Sequence, residues 1–101
     1  MEFEWDAGKA ERNLTKHGVS FQEAETVFGD PFELTIPDQA HSRSESRWVS
    51  VGHSAEGRML VVVYVERETR FRLISARPAT LKERTAYEGR SSGRRGDGPG
   101  V

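Results

Sequence analysis

The stretch MLVVVYV, Met59 to Val65, constrains this chain more than any other. Its residues are all apolar, and its valines, branched at Cβ, favour a pleated strand over a helix. A strand with one wet face would alternate polar and apolar side chains. This one does not, so it has to lie inside a sheet with both faces covered. The run is also far too short to span a bilayer, which takes about 20 apolar residues in a helix.

The neighbours such a strand needs are legible on either side. Strand-like segments at 32–36, 47–53, 58–66 and 70–77 are separated by Pro37-Asp38, Ala55-Glu56-Gly57 and Arg67-Glu68-Thr69, the composition of an antiparallel meander. Phe3-Glu4-Trp5 begins a short strand. Asp6 stands at an N-cap position ahead of Ala7, Ala10 and Leu14 at helical spacing, and this helix is expected to reach about His17 before Gly18 ends it. Ser20-Phe21-Gln22-Glu23 is a capping box for a second helix, with Val19 placed to staple onto Ala24 and with Phe21, Ala24, Val27 and Phe28 as its buried stripe. Gly29, Asp30 and Pro31 stop it. Thr80-Leu81-Lys82-Glu83 is a further capping box and opens a short helix expected to end near Gly89. Residues 90–101 are mostly Gly, Ser and Arg, too poor in apolar surface to offset their ordering entropy, and are expected to be a disordered tail in which the RGD triplet carries no function. The expected fold is therefore α+β: a single domain over 1–89, with an antiparallel sheet of four to five strands, two N-terminal helices packed on it and a short C-terminal helix.

Composition narrows the function classes. Cysteine is absent, so disulfides, thiolate zinc sites and a cysteine nucleophile are excluded, and a reducing, cytoplasmic setting is the expectation. The N-terminal stretch MEFEWDAGK lacks a basic segment followed by an apolar run, so neither a signal peptide nor a membrane span is expected. Net charge is only −1, but it is unevenly divided: residues 1–45 carry four Lys/Arg against ten Asp/Glu, and residues 46–101 carry eleven against six. The second half is a candidate anion-binding surface, unless its charges pair across the fold.

The stretches WDAGKAERNLTKHGVSFQEAETVFGDP and GRMLVVVYVE…RFRLISARPATLKERTAYE closely resemble the BrnT family of type II toxins. The resemblance covers about residues 3–88 and rests on KHGVSF, EA-x-x-VF, H-S-x-x-E-x-R, R-x-L-V-V-V-Y and ISAR-x-A-T in that order; the segment beyond Gly89 lies outside it. It implies a RelE-like ribonuclease that cleaves mRNA and inhibits translation. It also implies a BrnA-like antitoxin with a DNA-binding part, through which alone the complex would meet operator DNA.

Metal-independent RNA cleavage needs a base near the 2′-hydroxyl, positive charge around the phosphate and a proton for the 5′-oxygen. Arginine suits the second task, because its planar fork grips two phosphate oxygens and stays charged. Arg47, Arg58, Arg72 and Arg77 are offered by adjacent strands; Arg58 and Arg77 are the candidate catalytic pair, and Arg47, Arg72, Arg84 and Tyr87 the candidate RNA contacts. The alternative for Arg70 and Arg72 is an ion pair with Glu66 and Glu68 across the turn. Ser75 shares a strand face with Arg77 and either bonds a phosphate oxygen or satisfies a main-chain group. His17, at a helix C-terminus where a cation is favoured, is a proton donor or a capping residue. Glu45 and Glu66 are the base candidates, with ordinary ion pairs as their other role. His41 and His53 have no partner at ligand spacing, so neither metal nor cofactor is expected. Trp5 and Trp48 either stack on bases or pack in the core, and Tyr87 either reaches a cleft or anchors the last helix. A non-catalytic RNA- or protein-binding partner of an operon regulator remains the competing reading. An RNA face on the strands would place the antitoxin, as an acidic or amphipathic segment, across residues 47–53 and 70–77.

Overall fold

The computed structural model describes residues 2–38 and 45–96. In chain order the elements are β1 (Glu2–Glu4), α1 (Ala7–His17), α2 (Phe21–Glu25), a 3-10 turn (Thr26–Gly29), β2 (Leu34–Pro37), β3 (Ser46–His53), β4 (Met59–Arg67), β5 (Arg70–Pro78) and α3 (Leu81–Gly96). The sheet has five strands in the order β1-β5-β4-β3-β2, which puts the valine-rich β4 in the middle. Its two faces feed two cores. Leu60, Val62 and Tyr64 meet Val19, ahead of α2, Phe21 and Ala24 of α2 and Val27 of the 3-10 turn, together with Leu73 and Ala76 of β5. Met59 and Val61 meet Val51 and Tyr87 on the other side. Complete burial of a side chain such as Val62 contributes roughly 1.5–3 kcal/mol, so the two-sided run is the main store of stability in the sheet.

The sheet is mixed rather than antiparallel throughout, because β1 runs parallel to β5. Hairpins dictate the direction of β4 and β5. Nothing local dictates that of β1, which reaches its partner across most of the chain and pairs only with Arg70, Phe71 and Arg72. Past Arg72 the outer edge of β5 has no neighbouring strand among the described residues.

α1 occupies that edge through a polar contact. Asp6 caps it by accepting from the Lys9 N–H at 2.8 Å, and Gly18 ends it at φ 69°. Of the expected apolar stripe only Ala10 packs against the core: Ala7 is exposed and Leu14 is 52% exposed. The buried residue is Asn13, whose amide accepts from the Ala76 N–H at 3.0 Å and donates to the Ala76 carbonyl at 2.8 Å and the Val19 carbonyl at 2.9 Å. One side chain thus supplies the two ladder bonds that β5 lacks there, in a buried setting where unpaired main-chain groups are costly.

α2 is shorter than its apolar stripe suggests. Thr26 donates its hydroxyl to the Glu23 carbonyl at 2.6 Å, and the chain tightens into the 3-10 turn that carries Val27 and Phe28. Ser20 accepts from the Glu23 N–H at 3.0 Å, which is half of a capping box. At Thr80 both halves form, with the Glu83 carboxylate accepting from the Thr80 N–H at 2.8 Å and the Thr80 hydroxyl accepting from the Glu83 N–H at 3.2 Å. α3 does not stop near Gly89. Among the described glycines only Gly18 and Gly57 have positive φ, so Gly89 is no left-handed cap, and the helical backbone continues to Gly96. Residues 97–101, the rest of the expected tail, lie outside the described residues, as does His41. No helix among the described residues is long and apolar enough to cross a membrane.

Candidate nucleic-acid interface

The strand arginines do not stand free. Arg47 lies 3.3 Å from the Asp38 carboxylate. Arg70 lies 3.2 Å from Glu2 and 3.3 Å from Glu4, and Arg72 lies 3.3 Å from Glu4. The pairing expected with Glu66 and Glu68 gives way to β1, whose parallel register sets Glu2 beside Arg70 and Glu4 beside Arg72. Arg67 pairs with Glu45, one of the base candidates. Arg77 binds both carboxylate oxygens of Glu83, at 2.7 and 2.6 Å, and its hydrogen bonds hold the Glu83 carboxyl down at about 2 from an ordinary 4.5.

Arg58 and Arg77 serve opposite layers. Arg58 reaches the helical side, where its guanidinium binds the buried Glu23 through Nε and Nη2 and donates to the Gly18 carbonyl at 3.0 Å. The hydrogen bond from Arg58 outweighs desolvation and keeps the Glu23 carboxyl below the usual range, with a further bond from the Ser54 hydroxyl at 2.7 Å. This explains the incomplete box at Ser20: Glu23 is committed to Arg58. The side chain of Arg58 remains 43% exposed beside the end of α1.

Tyr87 is an anchor. It is buried, and its hydroxyl donates to Asp30 at 2.7 Å and lies 3.2 Å from Nδ1 of His53. Burial and the Asp30 contact push the phenol up to about 12. Burial alone would raise the Asp30 carboxyl, but hydrogen bonds from the His53 and Phe32 N–H groups and from Tyr87 bring it below its usual value. Arg84, on the same helix, is exposed. Trp5 packs edge-on against Phe21 at 5.8 Å, and Trp48 packs against the core on the helical side.

His17 and Ser75, far apart in sequence, meet in one open cleft of about 330 Å³ where α1 crosses the edge of β5. Its other lining side chains include Lys9, Arg12, Lys16 and Ile74. Lys9, Arg12 and Lys16 are spaced three and four apart, one face of a helix. A bulge helps to shape the opposite wall: Tyr64 faces Leu73 and Val63 faces Ser75, which leaves Ile74 as the extra residue of β5. Among the described residues no carboxylate lies within ion-pairing distance of Lys9, Arg12, Lys16 or His17. The cleft is therefore positive, and its cations are available to an external anion. Glu66 is elsewhere, in a second pocket with Trp48, Tyr64 and Phe71. The described residues contain no cluster of side chains suited to a metal ion.

The five-stranded α+β fold is shared with a solved ribonuclease toxin. The 1.1 Å crystal structure of the Brucella abortus ribonuclease toxin, BrnT, superposes with a TM-score of 0.64 at 21% identity, covering 80% of this chain and 99% of that one. No curated protein sequence matches the chain. The family model of the ribonuclease toxin BrnT of type II toxin-antitoxin systems matches residues 5–83, and the chain belongs to that family. It is thus a ribonuclease toxin whose family implies an antitoxin partner.

Proposed function

We propose that the protein is a metal-independent endoribonuclease of RelE-like type, which cleaves mRNA in the cytoplasm and so arrests translation, and which a BrnA-like antitoxin with a DNA-binding part neutralises. The observation that carries this reading is the α1–β5 cleft, where Lys9, Arg12, Lys16, His17 and Ser75 converge without a carboxylate among the described residues. Single-stranded RNA laid along α1 meets three cations at a spacing suited to successive phosphates. The 2′-hydroxyl gives its proton to solvent water as its oxygen bonds to phosphorus, and the bond to the 5′-oxygen breaks to leave a 2′,3′-cyclic phosphate. Imidazolium at His17 gives that oxygen its proton, and the cations stabilise the charge gathering on the phosphate. Ser75 donates a hydrogen bond to a phosphate oxygen. Arg58, bound to Glu23 and to the Gly18 carbonyl, positions the turn that follows His17. Arg77, with Glu83, positions the end of β5.

The test is incubation of purified protein with single-stranded RNA in excess chelator. Cleavage is expected to persist, and to be lost in His17→Ala and in Arg12→Glu while both variants keep the wild-type thermal midpoint. Full activity in both would place the chemistry elsewhere on the fold, and activity that needs an added divalent ion would end the metal-independent reading.

A further inference from the structure

The pocket that holds Glu66 has the opposite character from the cleft on α1. Phe28, Tyr64 and Phe71 form a continuous aromatic wall, with ring centroids 4.6 Å apart for Tyr64 and Phe71, 5.0 Å for Phe28 and Tyr64, and 5.5 Å for Phe28 and Phe71. Trp48 lies directly across from Tyr64 in the β3–β4 register. These rings bound an open space of about 290 Å³ whose charged lining is the two carboxylates Glu33 and Glu66. Glu66 makes no ion pair among the described residues. The indole Nε1–H of Trp48 is buried and has no hydrogen-bond acceptor among them.

We propose that this pocket receives an arginine or lysine side chain of the antitoxin. Aromatic faces attract a cation lying within about 6 Å of a ring centroid, and the attraction grows as the cation loses water. The Glu66 carboxylate at the rim, which makes no ion pair among the described residues, neutralises the incoming charge and accepts its N–H donors. A phosphate is repelled by the same carboxylate. The RNA backbone is therefore assigned to the α1 cleft and the partner's cation to this one, so the antitoxin can be held without competing for every phosphate contact. The pocket rests on the toxin reading, because it takes the antitoxin as its occupant.

Two measurements test it. In the first, the Trp48 indole resonance of the intact protein is followed by NMR during titration with argininamide. A saturable shift of Trp48, absent for Trp5 and weakened severalfold in Glu66→Gln, is expected; a shift produced by guanosine monophosphate and not by argininamide would make the pocket a nucleobase site and overturn the proposal. In the second, cognate antitoxin is titrated into wild-type toxin and into the Glu33→Gln/Glu66→Gln double variant, with RNA cleavage by Glu33→Gln measured alongside. An affinity loss of about tenfold or more, with cleavage retained, is expected for a desolvated cation–aromatic contact and its carboxylates. Unchanged antitoxin affinity in the double variant would sink the pocket and leave the toxin reading intact. Failure of the wild-type protein to bind antitoxin at all would overturn both.

Discussion

The arginines of the strands and the cations of α1 have had opposite fates on folding. Arg47, Arg58, Arg67, Arg70, Arg72 and Arg77 each lie against a carboxylate, whereas Lys9, Arg12, Lys16 and His17 share a cleft with none among the described residues. The lesson concerns what a basic residue is for. A guanidinium already bound to Glu or Asp must break that pair before it can grip a phosphate, and it contributes shape and rigidity in the meantime. A cation held on a rigid helix, with no protein partner to release, meets an incoming anion at no such cost.

The sharpest way to break this comparison is to invert the charge of the free set. Replacing Lys9, Arg12 and Lys16 together by Glu is expected to weaken RNA binding by a factor on the order of 100 or more. The slope of log affinity against log salt should fall by about 2, since each lost phosphate contact removes roughly 0.7 for a single strand. Circular dichroism melts should show no loss of fold, because none of the three is buried. A slope that does not move would mean that RNA lies elsewhere.

Arg58→Ala tests the paired set at its most buried partner. Glu23 is 5% exposed, and removal of Arg58 leaves its carboxylate with the Ser54 hydroxyl as its remaining side-chain donor. The thermal midpoint should drop by several degrees, with Arg58→Ala/Glu23→Gln recovering much of the loss. If the double variant were no more stable than the single one, the pair would not be what fixes Arg58.

A smaller effect is expected in acid. The Glu83 carboxyl is lowered to about 2 from 4.5, so its ion pair with Arg77 stabilises the folded state above the unfolded value, and that stability disappears as pH falls from about 4.5 towards 2. Glu83→Gln should therefore be less stable than wild type at pH 7 and converge with it near pH 2, as read from denaturation midpoints across that range. Parallel curves for the two proteins would contradict the assignment. The smallest change is predicted for Arg72→Ala. Its partner Glu4 also contacts Arg70, so RNA affinity should stay within about threefold and the midpoint within a degree or two, as expected for a pair near the surface. A loss comparable to that of the α1 variant would erase the distinction between the two sets.

Much of the scaffold was legible in local sequence. The run Met59–Val65 determined a central strand covered on both faces, and Asp6, Gly18, Ser20 and Thr80 marked the helix ends where they are found, because capping and two-sided burial depend on neighbours a few residues away. The family could also be read, since the ordered motifs from KHGVSF to ISAR-x-A-T match the segment the family model covers. What the basic residues do was decided only in three dimensions. Averaging charge over residues 1–45 hid the Lys9, Arg12 and Lys16 face inside an acidic half, although its helical spacing was a usable signal. The partners of Arg70 and Arg72 depend on β1 arriving in parallel from the far end of the chain. The docking of α1 depends on Asn13 finding the open edge of β5 at Ala76. Such contacts join residues more than sixty positions apart, and no local propensity or hydrophobic period carries information about which of them will meet.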